Sequence, residues 1–253
     1  MKYKKIYIIL ALLICIITIF LYVYKWEFRK PSLEIYFFSL NKGRSVFIRT
    51  PNNKTILIGG GQNSEVIREL TKVMPFYKKK IDKIIIPSAV PAQIGGLIEI
   101  IDRYEIDEIM ITKLIATSTV LTELLRGIRK NKIHTIEVEK GDSIEIDEIK
   151  LNILFPYKEF KFNKSSLPEL ALEINYKNTS AFLLGNLSKT IQKNINLDLE
   201  IINTENVIEF YNSAIDSKVS KELIEKIKPK FIFSTKEKTL HLISDGEEWV
   251  KTD

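Results

Sequence analysis

Hydrophobic and polar positions divide the chain into two regimes. From Ile6 to Tyr24 the residues are uncharged and almost wholly apolar, with Lys2, Lys4 and Lys5 before them and Lys25, Trp26, Arg29 and Lys30 behind. At 1.5 Å per helical residue such a run reaches roughly 28 Å, about the hydrocarbon thickness of a bilayer. One membrane-spanning helix over residues 6–24 is therefore expected, and no small-residue cleavage site follows Tyr24 to make it a removable leader. Cys15 is a weak lipoprotein candidate, because Ile14 is bulky and the apolar run continues past it. Cationic residues on both sides leave the orientation open by the positive-inside rule; default topology places the following domain on the outer face of a cell membrane.

After Pro31 the period becomes two. LEIYFFSL (33–40), SVFIRT (45–50) and KTILIG (54–59) read as antiparallel strands, with turn residues at 41–43 and 51–53. The pattern then alternates. A helix over 64–74 turns Val66, Ile67, Leu70 and Val73 inward and stops at Pro75; a strand over 83–87 precedes a helix over 94–104; 107–112, 117–130 and 134–139 repeat strand, helix, strand. From Lys140 a meander follows, turning at Asp147 and Glu148, and 170–176 with 180–186 forms another hairpin. LDLEIIN (197–203), a helix over 219–227, a strand over 230–235 and a hairpin through 244–246 close the chain. Two similar runs of strands and helices predict an α/β fold: two sheets face to face with helices outside, a four-layer αββα sandwich. The expected domains are an anchor over 1–30 and one globular domain over 31–253.

Composition changes this picture in two places. The net charge of +6 suggests a nucleic-acid partner until it is localised: residues 1–30 hold six Lys/Arg and one Glu, leaving about +1 for the rest of the chain. The basic excess suits lipid head groups, and nucleic acid is only weakly supported as a partner. Lys78, Lys79 and Lys80 read as a solvated helix end. Cys15 is the only cysteine, so an intrachain disulfide is excluded.

Several phrases carry a resemblance: "FFSLNKGRSVFIRTPNNKTILIGGG", "IDKIIIPSAVPAQIGGL", "GDSIEIDEIKLNILFP", "FLLGN" and "IKPKFIFST". Together they resemble the metallo-beta-lactamase fold over residues 33–251, and within it the hydrolase-like domain that ends the bacterial competence DNA-uptake channel protein. The resemblance implies a dinuclear metal centre held by a His-x-His-x-Asp-His loop after the fourth strand and by aspartates at the third strand and later in the chain. Aligned on Gly95 and Gly96, the loop positions fall on Ser88, Val90, Ala92 and Gln93. The two aspartates fall on Gly59 and Asn186, the later histidine pair near Tyr211 and Asn212, and an early acidic hairpin on residues 39–44. None of these is a histidine or an acid.

Two zinc ions need several imidazoles and carboxylates in fixed geometry. His134 and His241, the two histidines, lie in predicted strands outside the motif positions. Carboxylates disappear together with imidazoles, as a metal-free site requires, since an uncompensated buried carboxylate is costly. Gly95 and Gly96 remain to let a helix pack close to its strand. Ser88 has no neighbouring base in its motif, and no spacing pairs it with Lys42. "IGGGQNS" (58–64) lacks the Lys-Ser/Thr of a phosphate loop and reads as a tight turn. The sequence thus points to a membrane-anchored, catalytically inactive domain without metal or cofactor, acting as a binding or scaffolding module for an unidentified protein partner in DNA uptake or an envelope assembly. The competing expectation is a hydrolase of phosphodiesterase or nuclease type, with a rebuilt site around Ser88, Gln93, Asn186 and Asn212.

Overall fold

The computed structural model describes residues 2–27, 31–112, 118–158, 169–210, 219–234 and 239–252; in the first helix it describes the side chains of Tyr7 and Leu10 to Leu21. Two compact units result, Met1–Pro31 and Ser32–Asp253.

The first unit is the helix α1 (Lys2–Glu27). Its described apolar side chains, among them Leu10, Leu13, Ile14, Ile17 and Phe20, are exposed around the whole circumference. The expected span is not established, because among the described residues no helix is long and apolar enough to cross a membrane.

The second unit opens with β1 (Leu33–Phe38), β2 (Ser45–Arg49), β3 (Thr55–Ile58), α2 (Glu65–Val73), β4 (Lys80–Ile86), α3 (Pro91–Arg103), β5 (Glu105–Ile111), α4 (Thr119–Lys130) and β6 (His134–Glu137). It continues with β7 (Ser143–Ile146), β8 (Ile149–Phe155), β9 (Ala171–Tyr176), β10 (Thr179–Leu183), α5 (Lys189–Asp198), β11 (Glu205–Phe210), α6 (Lys221–Ile227), β12 (Phe231–Ser234), β13 (Leu240–Ser244) and β14 (Trp249–Thr252). One sheet has the order β14-β13-β1-β2-β3-β4-β5-β6, the other β12-β11-β10-β9-β8-β7.

Period-two alternation generates the layers. Leu33, Ile35 and Phe37 of β1, Val46 and Ile48 of β2 and Ile56 and Ile58 of β3 join Leu151, Ile153, Leu172, Ile174, Ala181 and Val207 in one core between the sheets. The alternate positions Phe38, Phe47, Leu57, Ile84 and Ile86 face the other way and pack on Val66 and Leu70 of α2, Leu97 and Ile100 of α3, and Leu124 of α4. Across the second sheet, Phe182 and Ile208 pack on Leu223 and Ile227 of α6, and Phe155 on Ile191 and Ile195 of α5. Strands joined through a helix pair in parallel, β3 with β4 and β4 with β5, as a crossover requires.

Two segments differ from the sequence expectation. Lys78, Lys79 and Lys80 are not a helix end, since α2 stops at Val73 before Pro75 and Lys80 opens β4. LDLEIIN is not a strand: its first residues end α5, and the strand is β11, starting at Glu205. Ser188 caps α5 by accepting the amide of Ile191, and Ile191 and Ile195, one turn apart, are buried.

Candidate functional site

Three loops at one end of the inner core meet around Arg44. Arg44 directly precedes β2 and lies in phase with Val46 and Ile48, so its side chain continues the inward-facing row. It is 2% exposed. Its backbone N–H donates to Gln93 Oε1 at 3.2 Å, and its carbonyl accepts from Gly61 N at 3.2 Å. The guanidinium reaches two buried carboxylates: Nη1 stands 3.5 Å from Glu169 Oε1, and Nε 3.2 Å from Glu209 Oε1. Glu169 is 2% exposed and Glu209 0%. Glu169 accepts the amide of Asn186 at 2.7 Å, and Glu209 in β11 pairs with Leu183 of β10. A Cβ at Gly185 would lie 2.6 Å from Arg44 Nη1 and 2.8 Å from Glu169 Oε2. Glycine there leaves room for the ion pair.

The structure brings Gly59, Gln93 and Asn186 to this cluster. Gly59 accepts from the Ser45 hydroxyl at 3.0 Å, and a Cβ on it would sit 2.8 Å from the Arg44 carbonyl. Ser88 is buried, its hydroxyl accepting from Val90 N at 3.3 Å within the loop. Val90 precedes α3 as its N-cap and Ala92 lies in the first turn, both half-buried. Asn212 lies outside the described residues. The backbone donors of "IGGGQNS" are consumed internally: Gly60 N by the Gln93 carbonyl, Gly61 N by Arg44 and Gln62 N by Lys42. This is a tight turn, not an anion cradle.

The expectation of neutral side chains concerned only the aligned positions, and two acids elsewhere in the chain come to the same place. Glu169 and Glu209 are buried here, at positions the motif alignment did not single out, and a guanidinium faces both. A single-residue signal existed for Arg44, a cation in an inward strand phase. Burial raises the Glu169 carboxyl above its ordinary value of 4.5, against the opposing charge of Arg44 and the hydrogen bond from Asn186. The folded chain thus keeps a proton that the unfolded chain releases, and stability falls as pH climbs from about 4.5 through the folded value. Urea unfolding across that window is expected to show the decline in the parent and a flatter profile in Glu169→Gln, whose amide oxygen still accepts from Asn186.

Neither histidine joins the cluster. His134 is an exposed residue of β6, 3.4 Å from Glu108. His241 stacks on Tyr36 with ring centroids 4.0 Å apart, approaches Glu34 at 3.5 Å and meets the Thr252 hydroxyl at 2.6 Å. Burial pushes the Glu34 carboxyl up, but hydrogen bonds from His241 and Tyr36 and the charge of Arg49 outweigh it and bring the carboxyl down to about 2. Glu34 and Tyr36 share the strand phase of Phe38, away from the inner core.

No family model and no curated protein matches the chain. Solved structures do. The metallo-beta-lactamase fold protein YhfI from Bacillus subtilis is 11% identical, with 81% of this chain and 86% of that chain covered, at a TM-score of 0.53. This chain has the metallo-beta-lactamase fold. A long-form RNase Z from yeast matches at 9% identity over 80% of this chain and 37% of its own, TM-score 0.53. CmlA, a diiron beta-hydroxylase from Streptomyces venezuelae, matches at 12% over 83% and 45%, TM-score 0.50. At such identities a shared metallo-beta-lactamase fold transfers no chemistry.

The described residues do not fit the metal centre that a metallo-beta-lactamase fold implies. Among the described residues no group of three or more His, Cys, Asp or Glu is placed to hold a metal ion. More directly, the guanidinium of Arg44 already faces the two carboxylates of the cluster. A dication beside it would meet a fixed positive charge in a medium that screens poorly.

Proposed function

We propose that this chain is a catalytically inactive member of the metallo-beta-lactamase fold, held at a membrane by residues 6–24 and acting there as a binding or scaffolding module. One observation carries the inactive reading: Arg44 faces Glu169 and Glu209, supplying from within the protein the positive charge that metal ions supply in active relatives. Neutral residues at Gly59, Ser88, Val90, Ala92, Gln93 and Asn186, aligned by resemblance with metal ligands, support the same conclusion, as Asn212 does from sequence alone. The likeness to the competence protein's terminal domain, which suggests DNA uptake or an envelope assembly and an unidentified protein partner, rests on sequence phrases. The near-neutral charge of residues 31–253 argues against tight nucleic-acid binding.

Membrane attachment is supported by the uncharged run from Ile6 to Tyr24 and by apolar side chains exposed all round α1, a pattern that water does not tolerate in a lone helix. The outer face of the cell membrane is the default side for the domain.

The test is hydrolysis of bis(p-nitrophenyl) phosphate by the full chain in detergent, with zinc, manganese or neither added. Rates at the buffer background are expected throughout. Turnover abolished by a chelator overturns the inactive reading and favours a rebuilt hydrolase.

A further inference from the structure

The turn between α2 and β4 holds a feature that a scaffold role leaves unused. Met74 is buried, but the next residues leave the protein: Phe76 is 93% exposed and Tyr77 67%. Their rings contact edge to face with centroids 5.5 Å apart. The Lys78 amide closes the turn on the Pro75 carbonyl at 2.9 Å, and Lys78 Nζ donates to the Asn53 carbonyl at 2.7 Å, so two aromatic rings project from a defined bend.

Charge around the rings is mixed but, among the described residues, leaves two lysines outside any ion pair; exposed Glu105 adjoins Lys79, its amide donating to the Lys79 carbonyl at 2.8 Å. Lys80 is paired with Asp107 at 2.9 Å and Lys54 with Asp82 at 3.3 Å. Among the described residues, no acidic group lies within ion-pair distance of Lys78 or Lys79. Burial, together with the nearby charges of Arg49, Lys54 and Lys80, lowers the Lys78 amine, although Asp82 opposes this. An anion would relieve that crowding. Elsewhere, exposed Leu197 and Ile202 flank Asp198 and Glu200, and the lysines beside them are already engaged, Lys140 with Asp198 and Lys226 with the Asn196 carbonyl.

We infer that the Phe76-Tyr77-Lys78-Lys79 turn is a docking surface for an anionic lipid bilayer, with the rings entering the interfacial layer and the ammonium groups on lipid phosphates. Aromatic side chains favour that layer, and lysines behind them add electrostatic attraction to anionic lipid. This contact goes beyond the proposed anchor at residues 6–24, and the test separates the two.

The full chain carrying Cys15→Ser and Tyr77→Cys, labelled with the environment-sensitive fluorophore NBD, is reconstituted into vesicles with and without phosphatidylglycerol. The expected result is a several-fold rise and blue shift of emission in phosphatidylglycerol vesicles, quenched by a shallow spin-labelled lipid. Lys78→Glu with Lys79→Glu is expected to abolish it. Emission that stays aqueous while the protein floats with the vesicles overturns the docking surface and leaves the anchor intact. An equal, concentration-dependent shift without phosphatidylglycerol overturns it in favour of contact between copies. Failure to float with either vesicle overturns both.

Discussion

Replacing Arg44 with methionine is expected to destabilise the domain by ~3–5 kcal/mol, because two buried carboxylates then lose their guanidinium. Against the ~5–15 kcal/mol that holds a typical domain together, such a loss brings it close to unfolding. Proton uptake softens the penalty: the charge of Arg44 restrains the rise of the Glu169 carboxyl, so Arg44→Met raises that carboxyl further and regains stability as pH falls. Adding Glu169→Gln and Glu209→Gln is expected to restore most of the loss, since neutral replacement of a whole buried ionic cluster is often tolerated. Urea midpoints of the parent, the single variant and the triple variant in mild detergent check the pattern. A metal-binding site would behave otherwise: Arg44→Met would cost little, and the two glutamine changes would be the damaging ones.

Gly96→Ala is expected to cost about 1–3 kcal/mol although alanine is the better helix former. A Cβ at that position of α3 would stand 2.1 Å from the Gly60 carbonyl and 2.4 Å from that of Asn63. Both are backbone atoms of the β3–α2 connection, which cannot yield without moving Gly59 and the turn beside Arg44. Gly127 on α4 is the control. Its Cβ would meet only Ile101 Cγ2, at an ordinary 3.6 Å, so Gly127→Ala is expected to stabilise the fold by ~0.5–1 kcal/mol. Thermal midpoints moving in opposite directions for the two alanines meet the expectation; equal shifts contradict it.

Most of the sandwich was legible because its strands bury alternate residues on both faces. LEIYFF puts Leu33, Ile35 and Phe37 between the sheets and Phe38 under the helices, so period two and apolar character appear together. The double glycine was legible for the right reason with the wrong neighbour. The helix approaches the loop after β3, because Gly95 and Gly96 lie against the carbonyls of Gln62, Gly60 and Asn63. α5 was hidden by composition: KTIQKNINLD carries two asparagines and few apolar residues, and its helix depends on a Ser188 cap and on Ile191 and Ile195 finding a sheet. Missing α5 displaced the following strand, and with it Glu209. Had Glu205–Phe210 been read as a strand, Glu209 would have stood out as an acid two residues beyond the inward-facing Val207. Glu169 carries no comparable signal, since it lies just before β9 and is buried by loops distant in sequence.

The position motif alone favoured a site emptied of charge, whereas the structure has a site whose charge is rebuilt from side chains. The difference is physical: an alignment of single positions says nothing of acids elsewhere in the chain, and Arg44 faces the two that the fold buries nearby. Metal content tests this most directly. The full chain, purified in detergent, saturated with zinc, manganese or iron(II) and then dialysed, is expected to retain none of them in stoichiometric amount, with or without Arg44→Met, Glu169→Gln and Glu209→Gln together. One or more ions held tightly per chain, and released when Glu169 or Glu209 is changed to glutamine, would contradict it.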